Sequence, residues 1–317
     1  MLKQRNVLIV LLPLLLIGFV FGLARLFQLR LEHGDIYPPY SSLRADPLGT
    51  KIFYKSLQKL RGIDAARLYE PLRKVESGRD KTLFLLGTSP GSLAQVPRAD
   101  VDEIETFARN GGCVVIALPP ISTKNWQMRR GEKDLREKRE AEKKDQKKSP
   151  SKKKIKSEED EADSKIVSLF EEWSLSHAVS DLETDDEGVA QPVRVTRVSE
   201  DVSLPSEIPW HSGFYFHDLT NQWREIFQRE TNQAVVIERS FGQGRIILAT
   251  DSYLFSNEAM RHHRQSLLLA WFMGGNHGML FDETHLGVAA DPGIATLARK
   301  YRLHGLVGGL LLLAGLF

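Results

Sequence analysis

Eighteen consecutive residues without a charge, Val7 to Ala24 (VLIVLLPLLLIGFVFGLA), lie between Lys3 and Arg5 on one side and Arg25 and Arg30 on the other. About 20 apolar residues in a helix cross the hydrocarbon core of a bilayer, so this run predicts a membrane span. Pro13 does not forbid it, because kinked helices are tolerated in lipid. The competing reading is a cleaved export signal with Gly22-Leu23-Ala24 as the small-x-small site, but the run is longer than a usual signal core. Either reading brings the chain to a membrane. The other end, Leu303 to Phe317 (LHGLVGGLLLLAGLF), is apolar with glycines at 305, 308, 309 and 315. So many glycines weaken a soluble helix and suit close helix approach in lipid, which predicts an incomplete second span rather than a buried C-terminal helix. Lys3 and Arg5 favour an amino terminus inside, whereas Arg25, Arg30, Arg299, Lys300 and Arg302 lie on the domain side. The first segment usually dominates, and the domain is expected outside the cytoplasm.

A second extreme segment runs from Lys124 to Ser164. Between Lys124 and Lys156 there are 15 basic and 6 acidic residues, and the acidic block Glu158, Glu159, Asp160, Glu161 and Asp163 follows. Such a stretch buries no core and reads as a solvated insertion, with a fraying helix around Arg129 to Lys148. Contact with anionic lipid or a protein partner is the next alternative, and nucleic acid is the sharpest reading of the lysines. Nucleic acid is disfavoured, because Trp126 is the only aromatic residue among the lysines and the acidic block competes for them.

The chain has 317 residues, 42% hydrophobic and 26% charged, with a formal net charge of +2, which excludes a disordered chain. Its single cysteine, Cys113, excludes a disulfide scaffold and sits in an apolar run as a packing residue. The expected division is an anchor over 1–33, a first part of the domain over 34–123 and the insertion over 124–164. A second part over 165–290 and a linker with the incomplete span over 291–317 complete it.

Within the domain, Asp46 followed by Pro47 predicts the start of a helix through Leu60. Lys81 to Gly87 and Cys113 to Leu118 read as buried strands around a helix from Ala99 to Asn110 that is closed by Gly111 and Gly112. Lys165 to Trp173 reads as a short helix, Val193 to Val198 as a strand and Ile208 to Leu219 as irregular. Ala234 to Asp251 reads as a hairpin, followed by an Asn257-capped helix from Glu258 to Phe272 and a strand from Gly278 to Phe281. Repeated strand–helix–strand order predicts an α/β fold with a parallel sheet and helices on both faces.

Three segments carry a resemblance: YPPYSSLRADPLGTK (37–51), GRIILATDSYLFSNEAM (244–260) and FDETHLG (281–287). They resemble the family catalogued as domain of unknown function 4350. In outline the chain is also similar to the membrane-tethered, glutamine-amidotransferase-like domains of gliding and ABC-transport auxiliary proteins. The resemblance implies a flavodoxin-like, class I glutamine-amidotransferase-like sandwich between two membrane helices, in a family often encoded near MoxR-type ATPases. It implies no established reaction.

The amidotransferase nucleophile is missing, since Cys113 is followed by Val114, Val115 and Ile116 and continues a strand. Gly87-Thr88-Ser89-Pro90-Gly91 imitates a serine elbow, but Pro90 has no backbone N–H for an oxyanion hole. Candidate ligand-binding residues cluster at strand ends: Ser41, Ser42, Arg44 and Asp46 before the first helix, and Asp251, Ser252, Asn257, Asp282, Glu283 and His285 after later strands. Asp251, Asp282, Glu283 and His285, with His262 or His263, would be the ligand set of a metal-assisted or carboxylate-dependent hydrolase. Capping and bracing is the structural alternative. Trp210, His211, Tyr215, Phe216 and Trp223 read as a core edge more readily than as an aromatic contact surface. The expectation is a membrane-anchored, non-catalytic domain that binds a ligand or partner in an envelope-associated complex, with no cofactor, no resident metal and no nucleic acid.

Overall fold

The structure, a computed structural model, describes residues 37–75, 77–123 and 165–288. Both expected membrane segments and the charged insertion fall outside the described residues. No described helix is long and apolar enough to cross a membrane.

Strand formation begins with two runs, one apolar from Leu83 onward and the other apolar at every position. β2 (Lys81–Leu86) sends Leu83 and Leu85 to one face and Phe84 and Leu86 to the other, as the period of two requires. β4 (Cys113–Ala117) is buried along its whole length. Strands with two buried faces belong in the middle of a sheet. β12 (Gly244–Ala249) pairs with β4 on one side, and β2 pairs with it on the other. β13 (Gly278–Asp282) joins β2, and β1 (Asp64–Leu68) closes the row, with all four pairings parallel.

Beyond β12 the sheet changes character. β11 (Ala234–Phe241) forms an antiparallel hairpin with β12 and is followed across the sheet by β10 (Arg224–Gln228), β7 (Val193–Arg197) and β8 (Glu207–Trp210). β9 (Phe214–His217) pairs with β11 and with β6 (Ser176–Val179), again antiparallel. The result is a mixed sheet of 11 strands. A separate two-stranded ribbon joins β3 (Val96–Pro97) to β5 (Ile166–Val167).

The expected flavodoxin-like, amidotransferase-like parallel sheet with helices on both faces is therefore incorrect. Among the described residues the helices are few and short: α1 (Lys51–Leu57), α2 (Pro90–Leu93), α3 (Arg98–Arg109), α4 (Leu169–Glu172), α5 (Asn257–His262) and α6 (Ser266–Met273). The aromatic middle, expected to be irregular, supplies β8 and β9, whose alternating residues bury Ile208, Trp210, Phe214 and Phe216. Trp223 is buried as well, so these aromatic residues are core, while Tyr215 and His211 are half-buried.

Local corrections have local causes. Asp46 does not start a helix, because its carboxylate holds the turn at Leu48 N and α1 begins only at Lys51. Lys165 to Trp173 is a two-residue strand and one helical turn capped by Ser168. The helix expected through Phe272 is broken at His263–Gln265, Ser256 rather than Asn257 caps its first half, and Leu267 faces solvent. By contrast α3 buries Val101, Ile104, Phe107 and Ala108 on one stripe and stops at Gly111, whose φ is +93°.

Candidate functional site

The carboxyl ends of the parallel strands lie along one sheet edge, and the loop before α1 folds across them. Glu283, which follows β13, is buried there. Ser41 Oγ donates to its Oε2 at 2.6 Å, and the Ser42 backbone N–H donates to its Oε1 at 2.8 Å. Arg67 on β1 completes the contact by donating to Ser42 Oγ at 2.6 Å and to Ser42 O at 2.9 Å, while its guanidinium lies 3.9 Å over the Tyr54 ring. Ser41, Ser42 and Glu283 are thus brought together, as a clamp joining residues some 240 positions apart.

Asn257 makes a second clamp. Its side-chain oxygen accepts from Ile52 N at 2.7 Å, so it caps α1 from across the fold. Its Nδ2 donates to Asp46 O at 2.6 Å and to Arg44 O at 3.1 Å. Arg44 forks onto Asp46, donating from Nε to Oδ1 at 2.6 Å and from Nη2 to Oδ2, and reaches Tyr37 O through Nη1. The Arg44 guanidinium holds the Asp46 carboxyl below its ordinary range.

At the end of β12, Ser252 Oγ donates to Ala117 O at 2.8 Å and accepts from Gly87 N at 2.9 Å, binding three strand ends to one hydroxyl. Gly87 has φ of +76°, and a Cβ there would lie 2.7 Å from the Tyr40 ring. The buried Asp251 carboxylate accepts from His211 N at 2.7 Å and Tyr253 N at 2.8 Å, and its Oδ2 lies 3.2 Å from His211 Nδ1. Tyr253 packs on the His211 ring at 3.9 Å. Burial pushes the Tyr40 phenol up, and the charges of Asp251 and Tyr253 add to this.

Asp282 and His285 meet on the opposite side of the sheet from α1. Asp282 Oδ1 accepts from Thr284 N at 2.8 Å and Thr284 Oγ1 at 2.6 Å, and Oδ2 lies 3.3 Å from His285 Nδ1. His285 Nε2 lies 3.0 Å from Leu86 O, so both ring nitrogens face oxygen atoms. Burial alone would raise the Asp282 carboxyl, but hydrogen bonds from His285 and Thr284 and the charge of His285 outweigh it and hold the carboxyl below its ordinary range. These residues border a cavity of about 460 Å³ with an apolar floor of Leu83, Leu85 and Ile116, walls of Leu93, Ile104 and Leu169, and Glu70, Asp100 and Glu103 at its mouth.

Among the described residues, no three His, Cys, Asp or Glu side chains are grouped to hold a metal ion. Asp251 engages His211, Glu283 engages the serines, and Asp282 engages His285. Cys113 is buried, and burial pushes its thiol up. Ser89 caps α2 by accepting from Ser92 N at 3.1 Å. His211 and Arg67 were not singled out as site residues from sequence. The aromatic run around His211 carried a faint signal, whereas nothing local marks an arginine in a strand as the partner of a distant serine.

A family model described as domain of unknown function DUF4350 matches residues 40–273. No curated protein matches the chain. Among solved structures, the mmIFT52 N-terminal domain is 12% identical with a TM-score of 0.40, over 70% of this chain and 89% of that one. The exo-β-1,4-mannosidase Op5Man5 from Opitutaceae bacterium strain TAV5 is 8% identical with a TM-score of 0.29, over 61% of this chain and 24% of that one. A β-galactosidase from Bacillus circulans sp. alkalophilus is 8% identical with a TM-score of 0.32, over 62% and 23% respectively. The chain thus spans about a quarter of the length of either glycosidase.

Two substitutions test the bracing roles. Glu283→Ala leaves Ser41 Oγ and Ser42 N without their buried acceptor and is expected to destabilise the domain by about 3 kcal/mol in urea unfolding, with early proteolysis around residues 40–50; a midpoint within error of the parent would contradict the clamp. Because the folded Asp282 carboxyl lies below its unfolded value, its stabilisation is full above the ordinary carboxylate range and is lost as pH falls through the lower folded value. Asp282→Asn should therefore cost about 1–3 kcal/mol at about pH 7, and the difference from the parent should shrink below about pH 4. A difference that stays constant over that interval would refute the charge-dependent contact.

Proposed function

The chain is a member of the DUF4350 family, and we propose that it is a membrane-anchored, non-catalytic domain that binds a ligand or partner within an envelope-associated complex. One observation supports the non-catalytic part of this reading above others. The polar side chains at the strand ends are engaged in bonds that hold strands and loops together, while the apolar-floored cavity beside Asp282 and His285 offers space for a guest. A guest with an apolar body and a polar end matches that lining. The apolar run Val7 to Ala24 supports the anchor, and the dominance of first segments supports a domain outside the cytoplasm. A MoxR-type ATPase system is the partner class suggested by the resemblance, and direct contact with the ATPase requires the domain on the cytoplasmic side.

Gln95 is exposed at the cavity mouth, so Gln95→Trp covers the cavity without disturbing the core. Extracted from membranes in mild detergent, the parent chain is expected in a larger assembly, and the variant should lose its companion about tenfold while unfolding at the same temperature. A parent chain recovered alone, or an assembly unchanged in the variant, would sink the binding reading. Val202 is 86% exposed, so Val202→Cys in a Cys113→Ala background reports the side of the membrane. Labelling of intact cells by an impermeant thiol reagent supports the outer placement, and labelling only after lysis reverses it.

A further inference from the structure

We propose that the groove between α1 and α5 docks the domain onto an anionic phospholipid surface. Lys51 and Lys55 lie one turn apart on α1, Lys59 follows just beyond its end, and these three line a groove of about 290 Å³ with Ser56 and Arg261 of α5. No acidic residue occurs from Lys51 to Gly62, and Glu258 is the only one from Asn257 to Arg264. Among the described residues none of these four cations has a carboxylate partner within 4.0 Å. Several arginines elsewhere in the domain are paired, Arg44 with Asp46, Arg98 with Glu172 and Arg194 with Glu207.

Four like charges facing one concave surface repel one another, and an external anion relieves that repulsion. Phosphodiester headgroups supply such anions as a plane, which suits an open groove whose Lys55, Lys59 and Arg261 are exposed. The ends of α1 add apolar reach, since Leu48 before it is 41% exposed and Leu60 after it is 51% exposed. Lysines flanked by exposed leucines are the composition of a surface that lies at a membrane interface. Distance permits it. Residues 25–36 separate the apolar run from Tyr37, and twelve extended residues reach about 40 Å. The inference rests on the membrane-anchored reading and adds to it a fixed orientation, with α1 and α5 toward the leaflet and the cavity beside His285 on the other face of the sheet.

The test uses the full chain with Cys113→Ala and Ser56→Cys, placed in nanodiscs of phosphatidylcholine alone or with about 30% phosphatidylglycerol. The reading is the alkylation rate of the groove thiol by an impermeant maleimide, with Val202→Cys as the control position. Docking predicts a rate at least about fivefold lower in the anionic discs, restored by about 0.5 M salt and by Lys51→Glu, Lys55→Glu and Lys59→Glu together, with the control unaffected. Equal rates in the two lipids, or protection that survives the triple substitution, overturn it. Equal protection by inorganic phosphate in phosphatidylcholine discs identifies a soluble anion site instead and also overturns it. A chain that leaves the zwitterionic discs contradicts the anchor alone. In that case, co-sedimentation with phosphatidylglycerol vesicles that the triple substitution abolishes still upholds the groove.

Discussion

Strand β4 has no solvent face, and the rest of the domain follows from that. Its five residues are buried on both sides, so each side needs a covering layer. Val115 and Ala117 meet Phe84, Phe255 and Phe272 under α1, α5 and α6, while Val114 and Ile116 meet Phe107, Leu169 and Trp173 under α3 and α4. The neighbours of β4 must be strands of the same kind, which places β2 and β12 beside it. Close approach at one point fixes how α3 sits: a Cβ on Gly244 would lie 2.1 Å from Gly112 O. Each layer is then positioned by the side chains of the strand beneath it.

A parallel centre solves the burial problem and creates another at its carboxyl edge, where ladders stop and backbone groups lose their partners. Side chains take over there. Ser252 serves Ala117 O and Gly87 N, Asn257 serves Ile52 N and two carbonyls of the preceding loop, and Glu283 serves Ser42 N and Ser41. These are the polar residues that a reading of strand ends selects as a binding cluster. Open α/β sheets do bind ligands at this edge, but the same edge also has the greatest need for bracing, and one pattern of serine, asparagine and carboxylate serves either role.

The readable part of the fold was the part controlled locally. β2, α3, β4 and the β11–β12 hairpin follow from unbroken apolar runs, one apolar stripe and glycine stops, and they lie within a residue or two of their expected bounds. What escaped was set by distant partners. Asp46 and Pro47 look like a helix start, but Asn257, more than 200 residues away, caps α1 instead. The run from Ile208 to Leu219 looks irregular because Pro209, Ser212 and Gly213 interrupt its alternation, yet Phe216 pairs with Ala234 and Trp210 with Val193. Those pairings extend the antiparallel half that the β11–β12 hairpin begins, and their register is written in the partner strands.

Bracing also limits what these residues can do as chemistry. A carboxylate that acts as a base or metal ligand needs a free lone pair in its working state and room for the substrate beside it. Glu283 is buried against two donors, and Asp251 is held by two backbone N–H groups and a histidine. Freeing either one for a reaction would open the loop or strand end that it secures, and the buried donors left behind would each go unpaired. The four cations that line the groove between α1 and α5 are in the opposite position, because among the described residues none has a carboxylate partner within 4.0 Å. Polar groups that hold a fold together are recognised by their filled valences, and groups facing an outside partner by valences left open. By that criterion the strand-end cluster belongs to the fold, and the basic groove is the surface turned toward something else.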